Sequence, residues 1–418
     1  MKRSLKPSTI NGTVTAPASK SMMQRAIAAA LLTDTPVTII NPTYSNDANA
    51  ALTVIQELGA TVSIKEKEIY IRGGFAPTGK VLNCGESGLG IRLFTPIAAL
   101  ANQSLTLTGE GSLLHRPVAM IEEPLKQLGV TVSTTNGLPP LTVTGPLTGG
   151  QACVDGSVSS QFLTGLLMAL PKVSGDSRLL VKNLQSFPYI DMTLAILKSF
   201  HVVVTHENYH TFYIKGKQRY VPVQPRYWVE GDWSGAAFLL VAGAVGGQVT
   251  INGLDASSTQ ADRKIIHALQ EAGAEVFISP SAIQVKKNRL RAFRFDAVHC
   301  PDLFPPLVAL ACQCEGKTIL SGVDRLADKE SNRAQTLQKE FSALGATIRV
   351  IGNTMEIIGG PILGGAVDSH NDHRIAMAVA IAAINARQEV IIHNYECVTK
   401  SYPAFFEDYI SIGGKSYE

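Results

Sequence analysis

One alternation of apolar and polar positions recurs along the chain. An amphipathic helix end, a small residue and a Val/Ile-rich run appear as IQELGATVSI, LKQLGVTVST, LKSFHVVVTH, LQEAGAEVFI and FSALGATIRV. The small residue falls at Gly59, Gly129, His201, Gly273 and Gly345, separated by 70, 72, 72 and 72 residues. A degenerate sixth copy, FFEDYISIGG, follows about 70 residues later. Each phrase predicts a helix closed by a left-handed glycine and feeding a half-buried strand. His201 breaks the glycine pattern, which predicts a strained or differently shaped turn there. Solenoid repeats run to roughly 50 residues. Units of this length therefore read as six small α/β modules, and 418 residues suit two domains of three modules each.

Composition narrows the picture. Hydrophobic residues at 45% and 36 glycines fit an α/β globule with many tight turns. The net charge is only +3 and no dense Lys/Arg block occurs, which argues against nucleic acid as a partner. The start, MKRSLKPSTINGTV, has no apolar segment behind its basic residues, so no signal peptide is expected. Apolar runs such as AAFLLVAGAVGG and IAMAVAIAAINA are too short to span a bilayer. The six cysteines form no CxxC and no disulfide-scaffold spacing. They read as reduced thiols of a cytoplasmic protein.

Charge in unusual places points to chemistry. APASKSMMQRAIAAAL opens an apolar helix with Lys20 and Arg25 in its first turns, where carboxylates normally complement the helix dipole. NCGESGLGIRLFTPIAAL repeats the arrangement with Arg92, and SHNDHRIAMAVAIAAI with Asp372, His373 and Arg374. Helix amino ends joined by arginines are suited to phosphate or carboxylate. Taken singly, each arginine is equally explained by an ion pair with a neighbouring acid. Pro96 predicts a kink or an early end to the second of these helices. In VDRLADKESNRAQTLQKEF, Lys329 and Arg333 are spaced to share a helix face at i, i+4, with Glu330 between them. Asp302 in HCPDLFPPLVALA is a candidate N-cap or buried acid. Ser159, Ser160 and Gln161 precede another apolar helix, Ser186 and Tyr189 a further one, and Lys400 lies in CVTKSYPAFF. No GxxxxGK[ST] occurs, and GESGLGIR is not a dinucleotide GxGxxG.

The motifs PASKSMMQRA, CGESGLGIR, LLHRPVAMIEEPLKQLG, SSQFLTGLLMAL, SFPYIDMT, VEGDWSGAAF, DKESNR, NDHRIAMA and TKSYPAFF stand in one order over essentially the whole chain. In that order and spacing the chain resembles the 5-enolpyruvylshikimate-3-phosphate (EPSP) synthase family of enolpyruvyl transferases. The resemblance implies a two-domain inverse α/β barrel with three βαβαββ units per domain, the same count that the 70-residue period suggests. It further implies a discontinuous first domain, residues 1–16 plus 230–418, a second domain of residues 17–229, and an active site in the cleft between them.

The activity implied is transfer of the enolpyruvyl group of phosphoenolpyruvate to the 5-hydroxyl of shikimate 3-phosphate, without cofactor or metal. That reaction belongs to the shikimate pathway, serves aromatic amino acid synthesis, and is the target of glyphosate. Carried over by motif, Lys20, Ser21, Arg25, Ser159, Ser160, Gln161, Ser186, Asp302 and Lys329 match the shikimate 3-phosphate set. Lys20, Gly88, Arg116, Gln161, Arg333, Arg374 and Lys400 match the phosphoenolpyruvate set. The resemblance assigns Asp302 as base on the hydroxyl, Glu330 to proton transfer at C3, Lys20 to support of both steps, and Arg92 to support of its loop. A monomer with two small-molecule substrates, and no nucleic acid or membrane partner, is expected. Leu89 departs from the usual Thr, and Arg325 and Asp328 depart nearby, which puts inhibitor sensitivity in doubt. The rival reading is a UDP-N-acetylglucosamine enolpyruvyl transferase, whose loop cysteine is missing from GEGSLLHRP. Two others are a six-module ring around DNA and a catalytically dead relative.

Overall fold

At all five predicted joins the backbone turns left-handed, with φ of 107° at Gly59, 82° at Gly129, 94° at Gly273 and 94° at Gly345. His201 adopts the same turn at φ 53°. The next residue's N–H reaches back five positions in each case, as from Ala60 to Ile55 O and from Val202 to Leu197 O. This is the Schellman closure, which satisfies an orphan carbonyl of the last helical turn. The degenerate sixth copy closes identically, with Gly413 at φ 100° and Gly414 N donating to Tyr409 O. The turn at His201 is therefore the common one; its ring Nδ1–H donates to Val221 O at 2.9 Å.

The computed structural model describes all 418 residues. Each of six sheets has four strands in the same order. In one, Val81–Asn83 runs parallel to Ser104–Thr108, which pairs antiparallel with Leu138–Thr144, and Thr131–Thr135 closes the edge. A parallel first pair requires a crossover, and the helix Gly88–Ala98 provides it. Three sheets are built from consecutive chain, whereas the other three borrow strands from afar. Ile10–Thr15 pairs parallel with Gly247–Asn252, Lys2–Lys6 completes the sheet of Val390–His393 and Lys415–Tyr417, and Arg226–Trp228 pairs parallel with Val37–Ile40. The chain accordingly divides into two compact units, Met1–Pro17 with Glu230–Glu418, and Ala18–Val229. Pro17 falls with the first unit, one residue from the boundary expected.

Within each unit the crossover helices lie inside and the sheets outside. The helix Trp233–Gly246 is apolar all round and buried from Gly235 to Val245, as a fully enclosed helix must be. In contrast, the outer strand Ser177–Lys182 alternates buried and exposed residues. The helix Gly88–Ala98 continues through Pro96 rather than ending before it. It lies against Gln161–Ala169 so closely that a Cβ on Gly165 would stand 2.7 Å from the carbonyls of Arg92 and Leu93. Both obstructing atoms are backbone, so Gly165→Ala is expected to cost about 2–3 kcal/mol. A denaturation midpoint equal to that of the parent would show that the two helices can separate freely. No helix is long and apolar enough to cross a membrane, and all six cysteines are free thiols.

Candidate active site

The unit Ala18–Val229 gathers its polar residues where three buried helices begin. Ser19 caps Lys20–Leu31 by accepting from Met22 N, and Ser87 caps Gly88–Ala98 by accepting from Gly90 N at 2.9 Å. Lys20 Nζ donates to Asp47 Oδ2 at 2.8 Å. Buried Gln24 ties these parts together, donating to Asp47 O and Ser87 Oγ, both at 2.9 Å. Arg92 donates to Gln161 Oε1 at 2.8 Å and to Pro117 O at 2.9 Å. It thereby ties Gln161 to the backbone just after Arg116. The Arg116 guanidinium lies over Gly88, whose Cβ, if present, would stand 2.6 Å from Cζ. Ser159 Oγ accepts from Gln161 N at 3.1 Å. Ser160 is buried at the start of the same helix, and Ser186, left-handed at φ 58°, is buried ahead of Pro188–Ser199. Ser21 accepts through its carbonyl from Arg25 Nη1 at 2.8 Å.

Arg25 is the electrostatic oddity of this unit. It is 1% exposed, and its other bonds go to Thr193 Oγ1 at 3.0 Å and Tyr189 O at 3.2 Å. All three acceptors are neutral. Burial pulls its pKa down to about 10, so it remains a cation at neutral pH. A buried charge without a counter-charge is costly.

In the other unit, Met1–Pro17 with Glu230–Glu418, three cations converge on one carboxylate. Asp302 receives Arg333 Nη1 at 3.0 Å and Lys329 Nζ at 3.5 Å on Oδ1, and Arg374 Nη2 at 3.1 Å on Oδ2. Arg333, fully buried, also donates from Nε to Asp372 Oδ2 at 2.9 Å and from Nη2 to Asp372 Oδ1 at 3.2 Å, and to Glu330. Asp372 caps His373–Ala382 by accepting from Arg374 N at 3.0 Å. Lys400 Nζ donates to Asn371 O at 2.7 Å. Burial alone would raise the Asp302 carboxyl, yet Arg374, Lys329 and Arg333 together hold it far below the ordinary carboxylate range. Conversely, burial would lower Arg333, but Asp372, Glu330 and Asp302 hold it well above its usual value.

Two local expectations are corrected. Lys329 does not share a helix face with Arg333, because the helix begins only at Arg333, capped by the Asn332 side chain. Lys329 and Glu330 occupy the bends before it and still converge, Lys329 on Asp302 and Glu330 on Arg333. Asp302 is not an N-cap either: it sits in a short turn ahead of Phe304–Ala311, with its carboxylate given to the cations. Asp47, Thr193 and Ser234 were not singled out from the sequence. An acid, a threonine or a serine in a helix's first turns is too ordinary to be noticed there.

Chemically, the two sets offer hydroxyls, an amide and cations suited to phosphate and carboxylate oxygens, and carboxylates able to carry protons. A family model described as EPSP synthase (3-phosphoshikimate 1-carboxyvinyltransferase) matches residues 5–409. The 3-phosphoshikimate 1-carboxyvinyltransferase of Clostridium novyi (strain NT) is 38% identical over 422 residues, covering 98% of this chain and 96% of its own. That of Clostridium kluyveri is 38% identical over 416 residues, covering 99% and 97%. Among solved structures, an EPSP synthase from Acinetobacter baumannii superposes with a TM-score of 0.83 over 100% of both chains at 27% identity.

Proposed function

The chain belongs to the EPSP synthase family, and from that membership we propose how its own residues carry out the reaction. It transfers the enolpyruvyl group of phosphoenolpyruvate to the 5-hydroxyl of shikimate 3-phosphate, releasing phosphate. Together the two substrates bring about five negative charges at neutral pH. Residues of both units act on this one pair. Arg25, with Ser21, Ser159, Ser160, Gln161, Ser186, Asp302 and Lys329, takes shikimate 3-phosphate. Lys20, Gly88, Arg116, Gln161, Arg333, Arg374 and Lys400 take phosphoenolpyruvate.

Supporting this reading above all is the gathering of Lys329, Arg333 and Arg374 on the single carboxylate of Asp302. While three cations hold it, Asp302 is too weak a base to take a proton. Phosphoenolpyruvate drawing Arg333 and Arg374 to its own anionic groups raises the proton affinity of Asp302. The base is thus released by the arrival of the second substrate. Asp302 then removes the 5-hydroxyl proton as that oxygen attacks C2, and Glu330 delivers a proton to C3. Collapse of the tetrahedral adduct then returns a C3 proton to Glu330 as the bond from C2 to the phosphate oxygen breaks, which restores the double bond, with Lys20 and the arginines stabilising the charge that leaves.

We propose that the enzyme acts as a monomer. A cytoplasmic location agrees with six free thiols. The test is phosphate release from phosphoenolpyruvate with shikimate 3-phosphate or UDP-N-acetylglucosamine as acceptor, in excess EDTA. Release is expected with shikimate 3-phosphate alone. Activity only with the UDP-sugar, or a loss under EDTA reversed by a divalent ion, overturns the reading.

Gly88→Ala gives a local check. The added methyl displaces only the end of the Arg116 side chain, so the fold should survive. We expect the KM for phosphoenolpyruvate to rise about tenfold with that for shikimate 3-phosphate unchanged. An unaltered KM for phosphoenolpyruvate would remove Arg116 and Gly88 from that subsite.

A further inference from the structure

Behind Arg374 lies a buried acid that the reaction scheme leaves unused. Asp262 is 3% exposed, and its Oδ1 is enclosed with no hydrogen-bond partner. Its Oδ2 receives the Ser234 hydroxyl, and Ser234 Oγ in turn receives Arg374 Nη2 at 3.2 Å. Donor accounting fixes the direction of this chain. A guanidinium can only donate, so Ser234 Oγ accepts from Arg374 and directs its own proton to Asp262. The surroundings are braced. Gln260 Oε1 accepts from Trp233 N at 3.0 Å, its Nε2 donates to Gly231 O at 2.8 Å, and Asp232 Oδ1 accepts from Ser234 N at 3.1 Å. Ser234 therefore has little freedom to turn away.

We propose that Asp262 is a positioning residue for the enolpyruvyl transfer, aiming the Arg374 guanidinium at its anion through the Ser234 hydroxyl. The proposal rests on the reading of Arg374 as a phosphoenolpyruvate ligand. Arg374 Nη2 donates both to Asp302 Oδ2 and to Ser234 Oγ, while Nη1 donates to Asp302 O at 3.4 Å. When phosphoenolpyruvate displaces the Asp302 carboxylate, the Ser234 bond still holds the guanidinium in place, so little orientational freedom is lost on binding.

The charge on Asp262 adds a pH dependence. Facing it are Asp302 and Cys300 from the segment before Phe304–Ala311, Arg374 from His373–Ala382, and Asp232 from the start of Trp233–Gly246. Burial first, and then Asp302, push its carboxyl up to about 7, against the opposing pull of Arg374 and the Ser234 bond. Below that pH Asp262 is neutral and only orients Ser234. Above it, the carboxylate also pulls on Arg374 and competes with the substrate anion. Because the folded-state pKa is raised, the fold holds a proton that the unfolded chain has lost between about pH 4 and 7, so stability falls as pH rises through that window.

The experiment compares the KM values of the parent, Ser234→Ala, Asp262→Asn and, as control, Arg374→Ala from pH 6 to 8. Ser234→Ala should raise the KM for phosphoenolpyruvate about fivefold, with kcat and the KM for shikimate 3-phosphate within about twofold. Asp262→Asn keeps an acceptor for Ser234. Its KM for phosphoenolpyruvate should match the parent at pH 6 and be several-fold lower at pH 8. The titration of the substrate phosphate cancels in that ratio. Its melting temperature should also exceed the parent's at pH 8 by more than at pH 5, as the raised carboxyl requires. If Arg374→Ala raises this KM while Ser234→Ala does not, and the Asp262→Asn profile parallels the parent's, the relay is overturned and the reading of Arg374 stands. If Arg374→Ala leaves this KM unchanged, the ligand role of Arg374 fails and the relay with it.

Discussion

Arg333→Leu is expected to cost about 3–5 kcal/mol of stability and to remove activity. Arg333 is fully buried and donates to three carboxylates, Asp302, Glu330 and Asp372. The Asp372 side chain is itself wholly inaccessible. Removing the shared cation leaves buried negative charges facing one another, a far larger penalty than the loss of any exposed ion pair. The deficit should depend on pH in a set direction. In the parent the pKa of Asp302 is depressed, so its contribution is present above the unfolded value, near 4, and is lost as pH falls towards the folded one. Without Arg333 part of that contribution is gone, and protonation relieves the repulsion. The gap in melting temperature between parent and variant should therefore be widest at pH 7–8 and narrow towards pH 4. Arg333→Lys should recover little, since one ammonium cannot reproduce the fork that engages both Asp372 oxygens. A melting temperature within about 2 °C of the parent at pH 7.5 would mean that water screens the cluster.

Glu330→Gln should lower kcat by at least ~100-fold and leave shikimate 3-phosphate affinity within about threefold. The substitution is nearly isosteric, and an amide oxygen can still accept from Arg333 Nη2, so the fold should be unaffected. What disappears is the ability to carry a proton to C3. The separation of kcat from binding is the informative part. If kcat stays within about threefold of the parent, Glu330 serves only to hold Arg333. If kcat and melting temperature fall together, the loss is one of packing.

Much of this protein is readable from sequence because it depends on short-range physics. A helix that ends in a left-handed turn asks for glycine, so Gly59, Gly129, Gly273 and Gly345 mark the period, and His201 keeps the turn despite its side chain. Apolar helices with cations in their first turns were visible as such, because a violation of dipole preference is a local fact. From these the six modules and the residues Lys20, Arg25, Arg92 and Arg374 followed. The helix start at Arg333 was misjudged, because Lys329-Glu330-Ser331-Asn332 carries helix-compatible spacing and only the Asn332 cap shows where the turns begin. Other features belong to tertiary structure alone. Lys2–Lys6, Ile10–Thr15 and Arg226–Trp228 have unremarkable strand patterns, and which sheet they complete is decided by pairing across hundreds of residues. Whether a cation is paired is equally non-local. Arg25 finds only neutral oxygens, Lys20 finds Asp47, and Arg333 and Arg374 share Asp302. Residue types and their spacing along one chain carry the geometry of a turn, but the energy of a buried charge depends on what the fold brings within about 4 Å of it.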